Sequence, residues 1–167
     1  MSVTRKDEAI RQGRIEDAAA LAAIEALCFP PAEAASREAI AARLIVYPSH
    51  FWVLERAGAP VGFADGMVID SEVIDDAMYA DASLHNEAGD WQAVFGLNVM
   101  PGHRHQGCAG RLIEAVIAQA RAEGRRGVVL TCKDALVHYY QRFGFKSLGA
   151  SASTHGGAAW NDMILRF

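Results

Sequence analysis

The 167-residue sequence lacks the segments that direct a chain to a membrane or through it. It has no apolar run of 18 or more residues, although 51% of its residues are apolar, so no segment suits a transmembrane helix. Residues 1–14 are polar and charged, without the apolar core of a signal peptide. We therefore predict a cytoplasmic protein without a membrane partner.

Cysteine and positive charge are also scarce. Cys28, Cys108 and Cys132 are widely spaced and form no CxxC pair, so we expect neither a disulfide framework nor a zinc site. The net charge of −4 argues against a nucleic-acid partner and favours a cationic small molecule. The length suits a single domain over residues 1–167, either a monomer or a homodimer.

The most informative segment is an apolar strand followed by a basic, glycine-containing loop and an amphipathic helix. The strand includes Leu97, Asn98 and Val99, and the loop with the helix start comprises Arg104, His105, Gln106, Gly107, Cys108, Ala109 and Gly110. The first N–H groups of a helix lack intrahelical acceptors, and the helix dipole adds positive potential there. This junction therefore predicts an anion site, with a spacing that differs from GxxxxGK[ST] and from GxGxxG. His103 and His105 have no nearby acidic or cysteine partner for a metal site except Cys108, which belongs to the loop, and we expect no metal.

The pattern Arg104-x-x-Gly107-x-Ala109 resembles the acetyl-CoA pyrophosphate loop of the GNAT N-acetyltransferases. Within that superfamily, residues 130–145 (LTCKDALVHYYQRFGF) are particularly similar to the arylalkylamine (serotonin) N-acetyltransferases. The similarity continues more weakly into residues 16–29 and 149–167. It implies an α/β, GNAT-type three-layer fold with a central mixed, mostly antiparallel sheet, splayed at the acetyl-CoA site.

The resemblance also implies the reaction. We expect acetyl transfer from acetyl-CoA to a primary amine, an arylalkylamine or another small amine, by direct attack in a ternary complex. The loop 104–110 would hold the pyrophosphate, and the backbone of residues 97–99 would pair with the pantetheine arm. The alternatives are a protein lysine or N-terminal acetyltransferase, and a CoA-binding or sensing module without catalysis.

Tyr140 is the expected general acid. It lies four residues before Gly144, which matches the position of the family's acid for the departing thiolate. Tyr139, beside it, is expected to be a packed core residue. Cys132 has no visible histidine–acid pair that would make it a nucleophile.

The general base is harder to assign. The two histidines of the vertebrate serotonin enzymes correspond to Ala93 and Phe95, which cannot carry a proton. Glu25 matches a glutamate proposed as the base in insect relatives, and it falls on the apolar stripe of the first helix. The alternative is a partly exposed structural carboxylate. Weaker candidates are His50, His85 and Asn98.

Residues 70–90 contain seven acidic residues and no lysine or arginine. This segment is either a solvated loop or a means of attracting a protonated amine. If the substrate has an aryl group, the aromatic residues that could line its pocket are Phe29, Phe51, Trp52, Phe95 and Trp160.

Hydrophobic periodicity and turn residues predict the elements of the fold. The predicted helices are 15–28, 37–46 capped by Ser36, 110–123, and one that carries Tyr140 and ends at Gly144. The predicted strands are 9–13, 51–56 and 61–69 around a turn at Gly58, 93–99, 128–132, 148–151 and 158–167.

Overall fold

In the computed structural model, which describes residues 5–167, strands and helices follow the predicted order, except that two predicted strands each divide and a short helix lies in the acidic segment. The strands are β1 (Glu8–Gln12), β2 (Phe51–Arg56), β3 (Ala59–Asp65), β4 (Val68–Ile69), β5 (Trp91–Val94), β6 (Gly96–Val99), β7 (Gly127–Cys132), β8 (Lys146–Ala150) and β9 (Asn161–Arg166). The helices are α1 (Ala18–Cys28), α2 (Arg37–Val46), α3 (Ala77–Ala80), α4 (Cys108–Ala122) and α5 (Asp134–Gln141). Within this range no helix has the length and apolarity needed to span a membrane.

The chain divides into two compact units. The first contains residues 5–65 together with Gly96–Val116, and its sheet is antiparallel with the strand order β1-β2-β3-β6. The β2–β3 turn consists of Ala57 and Gly58, with φ of +50° and +77°. Two positive φ values define the turn type that matches the twist of a hairpin, as the glycine predicted.

Helix α1 packs on β3 and β6 of this sheet, and α2 packs against α1. Leu21 and Ile24 of α1 are buried, as are Ile40 and Leu44 of α2. The hydroxyl of Ser36 accepts a hydrogen bond from the Ala39 N–H at 3.1 Å, so the predicted N-cap of α2 is confirmed.

The predicted helix 15–28 begins instead with one turn of 3-10 helix over Ile15–Asp17. Here the Asp17 carboxylate accepts the Arg14 N–H at 2.8 Å and pairs with Arg11, also at 2.8 Å. These local bonds tighten the entry into α1, which runs in regular form from Ala18 to Cys28.

The second unit contains Gly66–Phe95 and Ile117–Phe167, with the strand order β4-β5-β7-β9-β8. Only β5 and β7 are parallel, and the other pairs are antiparallel. The core residues of this sheet include Trp91, Val128, Leu130, Met163 and Ile164. The acidic segment is not a simple loop, because it contains α3 and a 3-10 turn at Ala82–Leu84.

Two predictions of continuous strands are wrong. The stretch 61–69 divides into β3 and β4, and the stretch 93–99 divides into β5 and β6, so that each stretch contributes to both sheets. The breaks occur at Gly66 and next to Gly96. The Gln92 amide donates to the carbonyls of Gly66 and Ala93, at 2.8 and 2.7 Å, and thereby satisfies backbone groups at the break. The pattern of apolar residues does not indicate these hydrogen bonds of Gln92, so it did not predict the breaks.

Candidate active site

The loop predicted to bind the pyrophosphate lies between β6 and α4. His105 and Gly107 have φ of +61° and +78°, a left-handed conformation that glycine adopts freely and histidine rarely. The Arg111 N–H bonds to the Gly107 carbonyl at 3.0 Å, at the first turn of α4. The N–H groups that precede Arg111 therefore have no intrahelical acceptor and suit an anion.

A buried charge network holds this loop in place. Glu8 on β1 is paired with Arg111 at 2.6 Å and with Arg56 at 3.0 Å. Arg111 also donates to the Gln106 carbonyl at 3.1 Å, and Arg56 donates to the Gln106 side chain and contacts His103. Burial raises the pKa of Glu8, but the hydrogen bonds from both arginines outweigh it and lower the pKa below 4.5. Gln106 is thus fixed through its backbone and its side chain.

The end of β6 is tied to the loop and to α1. The Val99 carbonyl accepts from the Arg104 Nε at 3.0 Å and from the Cys28 thiol at 3.3 Å. Within the described residues β6 pairs with β3 alone. Its other edge therefore has backbone groups that suit a pantetheine amide, the partner that we expect for residues 97–99.

Glu25 lies in a buried polar cluster of the first unit, which we call the Glu25 cluster: Glu25, Arg43, Asp65, Gly96 and Asn98. The Glu25 side chain accepts the Ala35 N–H at 2.6 Å and the Asn98 amide at 3.3 Å. Arg43 donates to Asp65 at 3.0 Å. A Cβ atom on Gly96 would lie 3.0 to 3.3 Å from the polar atoms of Asn98, Asp65 and Glu25. The missing side chain of Gly96 therefore leaves room for these groups to meet.

The environment of Glu25 favours its neutral form. Only 5% of its surface is exposed, so Glu25 is a buried carboxyl group and not the partly exposed one of the alternative. Burial raises the pKa of Glu25 to about 7, and the nearby charge of Asp65 adds to the rise. The Ala35 N–H, the Arg43 charge and the Asn98 amide oppose it. A carboxyl group with this pKa can take up and release a proton near neutral pH.

Tyr140, in the second unit, lies on α5 with 7% of its surface exposed. Its ring packs edge-on against Phe145 at 5.8 Å and Tyr139 at 5.4 Å. Burial raises the pKa of Tyr140 above its usual value of 10.0, so the hydroxyl keeps its proton over the whole physiological range. Tyr139 is only half-buried, which differs from the packed core residue that we expected.

Cys132 is unsuited to act as a nucleophile. Burial raises the pKa of its thiol to about 11, and the charge of Asp134 acts in the same direction. The reactive form of a cysteine is the thiolate, which is scarce here at neutral pH. This supports a direct attack on the thioester without an acetyl-enzyme.

Ala93 and Phe95, which we expected to stand at the positions of the serotonin enzymes' histidines, both lie in the second unit. Ala93 is buried in β5, and the half-buried Phe95 packs against Tyr79 with 4.8 Å between ring centroids. The Tyr79 ring also stacks on His155 at 4.5 Å. Of the other aromatic candidates, Phe51 and Trp52 are core residues, with 0% and 4% exposed, whereas Phe29 and Trp160 are half-buried.

His85 is an unsuitable base. Its Nδ1 accepts the Val68 N–H at 3.0 Å, and its Nε2 lies 3.4 Å from Glu87. His50 is fully buried in the first unit. The Asn98 amide is not basic near neutral pH, but its N–H group donates a hydrogen bond to Glu25.

Much of the acidic segment is paired within the second unit. Asp76 accepts hydrogen bonds from the Ser153 hydroxyl and the Thr154 N–H. Glu72 pairs with Arg166 at 2.6 Å, and Glu87 with Arg125 at 3.3 Å. These contacts give the segment a structural role and reduce the free negative charge that could attract an amine.

Sequence patterns missed Arg43, Asp65 and Gly96. Arg43 lies on a helix whose charged residues are ordinarily on the solvent side, and Asp65 is the last residue of an apolar strand. Only Asp65 could have been found from the sequence, because it is the one charged residue in the otherwise apolar stretch 61–65.

Comparison with known proteins gives a consistent result. Residues 18–145 match the Acetyltransferase (GNAT) family. The structure is similar to that of the GphF GNAT-like decarboxylase in complex with isobutyryl-CoA, with 26% identity, coverage of 95% of this chain and 98% of that chain, and a TM-score of 0.82. The loading GNATL domain of CurA from Lyngbya majuscula is 20% identical, with coverage of 95% and 97% and a TM-score of 0.81. The ribosomal-protein-S18-alanine N-acetyltransferase from Escherichia coli is 18% identical, with coverage of 95% and 93% and a TM-score of 0.71. These matches confirm the predicted fold class.

Proposed function

The chain belongs to the GNAT acetyltransferase family, an acetyl-CoA-dependent N-acetyltransferase family, and we propose that it acetylates a small primary amine, with arylalkylamines as the preferred class. The observation that carries this proposal is the buried Glu25 carboxyl group, which accepts hydrogen bonds from the Ala35 N–H and the Asn98 amide. The resemblance of residues 130–145 to the arylalkylamine enzymes supports the substrate class.

Glu25 is the proposed base. An alkylamine resembles lysine, with a pKa of about 10.4, so only about one molecule in 10³ is neutral at pH 7. A base with a pKa near the working pH combines a large ionised fraction with useful proton affinity. The contacts with Ala35 and Asn98 hold the Glu25 side chain in one orientation.

The donor is held, in this proposal, by the loop of residues 104–110 and by the backbone of residues 97–99. The N–H groups at the start of α4 and the left-handed residues His105 and Gly107 suit a pyrophosphate. Acetyl-CoA supplies an activated thioester, and the protein contributes orientation and proton transfer.

Tyr140 is the proposed donor to the departing thiolate. Its raised pKa makes full proton transfer to a thiol with a pKa of about 8.5 unfavourable, so we assign it a hydrogen bond to the thiolate. That bond is strongest when negative charge has developed on sulfur, which is when it accelerates the reaction.

Thiol release from acetyl-CoA, measured over a panel of amines from about pH 6 to about pH 9, tests the function. The panel contains arylalkylamines, polyamines, amino acids and a lysine peptide. We expect the highest kcat/KM with an arylalkylamine. Turnover of the peptide alone would favour a protein acetyltransferase, and acetyl-CoA binding without turnover of any amine would favour a sensing module. Either result contradicts the proposal.

Decarboxylation of an acyl-CoA is a second candidate, favoured by the similarity to the GNAT-like decarboxylase. That reaction breaks the bond between a carboxylate and the α-carbon, releases CO₂ and needs a proton for the α-carbon, which protonated Glu25 could donate. Malonyl-CoA incubated without amine separates the two reactions. Our proposal expects no CO₂ release above the rate without protein.

Tyr140→Phe is expected to lower kcat about 10-fold to 100-fold with little change in the KM for acetyl-CoA, because the lost hydrogen bond acts mainly in the transition state. Steady-state kinetics with the best amine measure this effect. Tyr139→Phe, on the same helix, serves as the control and should retain the original kcat. An unchanged kcat in Tyr140→Phe would make Tyr140 a packing residue.

A further inference from the structure

We propose that Asp65, paired with Arg43, is a positioning residue that acts through Glu25: the two carboxyl groups hold one proton between them near neutral pH, and Arg43 keeps the negative charge on Asp65. The proton is therefore exchanged at Glu25. This inference rests on the proposed role of Glu25 as the base.

The first support is the closeness of the two carboxyl groups. Asp65 Oδ1 and Glu25 Oε1 each lie 3.3 Å from the position that a Cβ on Gly96 would occupy. The two oxygens are therefore no more than about 6.6 Å apart, twice that distance. At such a separation in a buried site, ionisation of one carboxyl group disfavours ionisation of the other.

The second support is the unequal placement of positive charge. Arg43 donates directly to Asp65 Oδ2 at 3.0 Å, and its side chain and that of Asp65 are 6% and 0% exposed. Glu25 instead receives neutral donors, the Ala35 N–H and the Asn98 amide. A guanidinium hydrogen bond stabilises a carboxylate more than a neutral donor does. Burial raises the pKa of Asp65, and the charge and hydrogen bond of Arg43 lower it. Because Arg43 bonds to Asp65 and not to Glu25, we infer that the negative charge resides on Asp65 and the proton on Glu25.

The third support is the set of unpaired acceptors in the cluster. Among residues 5–167, the buried atoms Asp65 Oδ1 and Asn98 Oδ1 have no hydrogen-bond partner. Rotation of the Asn98 amide by half a turn would present Oδ1 to a protonated Glu25, whereas the present orientation donates to an ionised Glu25. Asn98 can therefore pair with both protonation states of Glu25.

Within residues 5–167, the charged and titratable groups that interact with the pair include Arg43 and Tyr47. Arg43 lies on α2, Tyr47 directly follows α2, and Asp65 itself comes from β3. Asn98, from β6, is uncharged. Asp17, at the start of α1, is paired with Arg11. Burial raises the pKa of Tyr47 far above neutral, so Tyr47 remains uncharged. The protonation of Glu25 thus responds mainly to Asp65 and Arg43.

The test is a pH titration of three proteins: the unchanged chain, Asp65→Asn, and the double variant Asp65→Asn with Arg43→Gln. The double variant leaves no unpaired buried charge, so it keeps the test available if the single variant does not fold. Carbon-13 NMR of labelled glutamate carboxyl groups measures the pKa of Glu25, whose signal is identified by its loss in Glu25→Gln. The acidic limb of kcat/KM is measured in parallel.

We expect Asp65→Asn to move the Glu25 titration down by about one pH unit, because a like charge is lost and the Arg43 charge remains. The double variant should titrate between the other two proteins, because the opposing charge is also gone. Equal titration of Glu25 in all three proteins would overturn the inference. If the NMR titrations shift in this order and the kcat/KM limb does not, the inference holds for Glu25 while its assignment as the base fails.

Discussion

Replacement of Glu25 by glutamine is expected to lower kcat/KM at least about 100-fold near neutral pH, because the amide cannot accept the amine proton. The acidic limb of the pH profile, which should lie close to pH 7 in the unchanged enzyme, should also disappear. A limb at higher pH remains, since the amine itself must lose a proton. Initial rates of thiol release across the pH range measure both effects.

Although Glu25→Gln is expected to lower activity, it should raise the free energy of unfolding at alkaline pH. The folded-state pKa of Glu25, about 7, lies above its ordinary value of 4.5, so the folded protein binds more protons than the unfolded chain between these values. The stabilisation from Glu25 is complete below the ordinary value and is lost as the pH rises through about 7. At alkaline pH, Glu25→Gln should therefore be more stable by about 3 kcal/mol, measured by denaturant unfolding.

Glu38→Gln is the matched control. Glu38 is an exposed carboxylate at the start of α2, in the same unit as Glu25. This variant should keep the activity and the pH dependence of the unfolding free energy. A Glu25→Gln enzyme with full activity would refute the assignment of the base. If Glu25→Gln has low activity but is no more stable than the unchanged protein at alkaline pH, burial raises the pKa of Glu25 less than we infer.

The sequence predicted those elements whose conformation depends on neighbouring residues. The cap at Ser36, the turn at Gly58 and the loop that opens α4 each depend on residues close together in sequence. Glu25 was identifiable for the same reason, because a carboxylate on an apolar helical stripe needs a compensating environment. The resemblance to the arylalkylamine enzymes is the basis on which we propose a catalytic role for Glu25.

The partners of Glu25 could not be predicted in this way. Asp65 and Asn98 are 40 and 73 residues away in sequence, and no periodicity relates them to α1. The division of two apolar stretches between the sheets depends on Gly66, Gly96 and the Gln92 amide. Each is inconspicuous in sequence, and their effect arises only when distant strands come together.

Gly66→Ala is expected to destabilise the protein by about 3 kcal/mol or more, which corresponds to a fall in Tm of roughly 10 °C. A Cβ at this position would lie 1.9 Å from the Ala93 carbonyl oxygen and 2.9 Å from the Val94 Cα. Both are backbone atoms, so no side-chain rotation relieves the overlap. Separation of the two segments would also break the hydrogen bonds from Gln92 to the carbonyls of Gly66 and Ala93.

Alanine variants at two other glycines serve as controls, because they show how much stability is lost when glycine is replaced without a backbone overlap. A Cβ on Gly102 would have nothing within 4 Å, so Gly102→Ala should melt close to the original temperature. Gly58 is equally open but has a φ of +77°, so its alanine variant should lose about 1 kcal/mol through backbone strain alone. Thermal unfolding of the three variants should therefore rank Gly66 far below Gly58, and Gly58 below Gly102. If Gly66→Ala melted with Gly102→Ala, the close approach of Gly66 to Ala93 would not be what holds the break between β3 and β4.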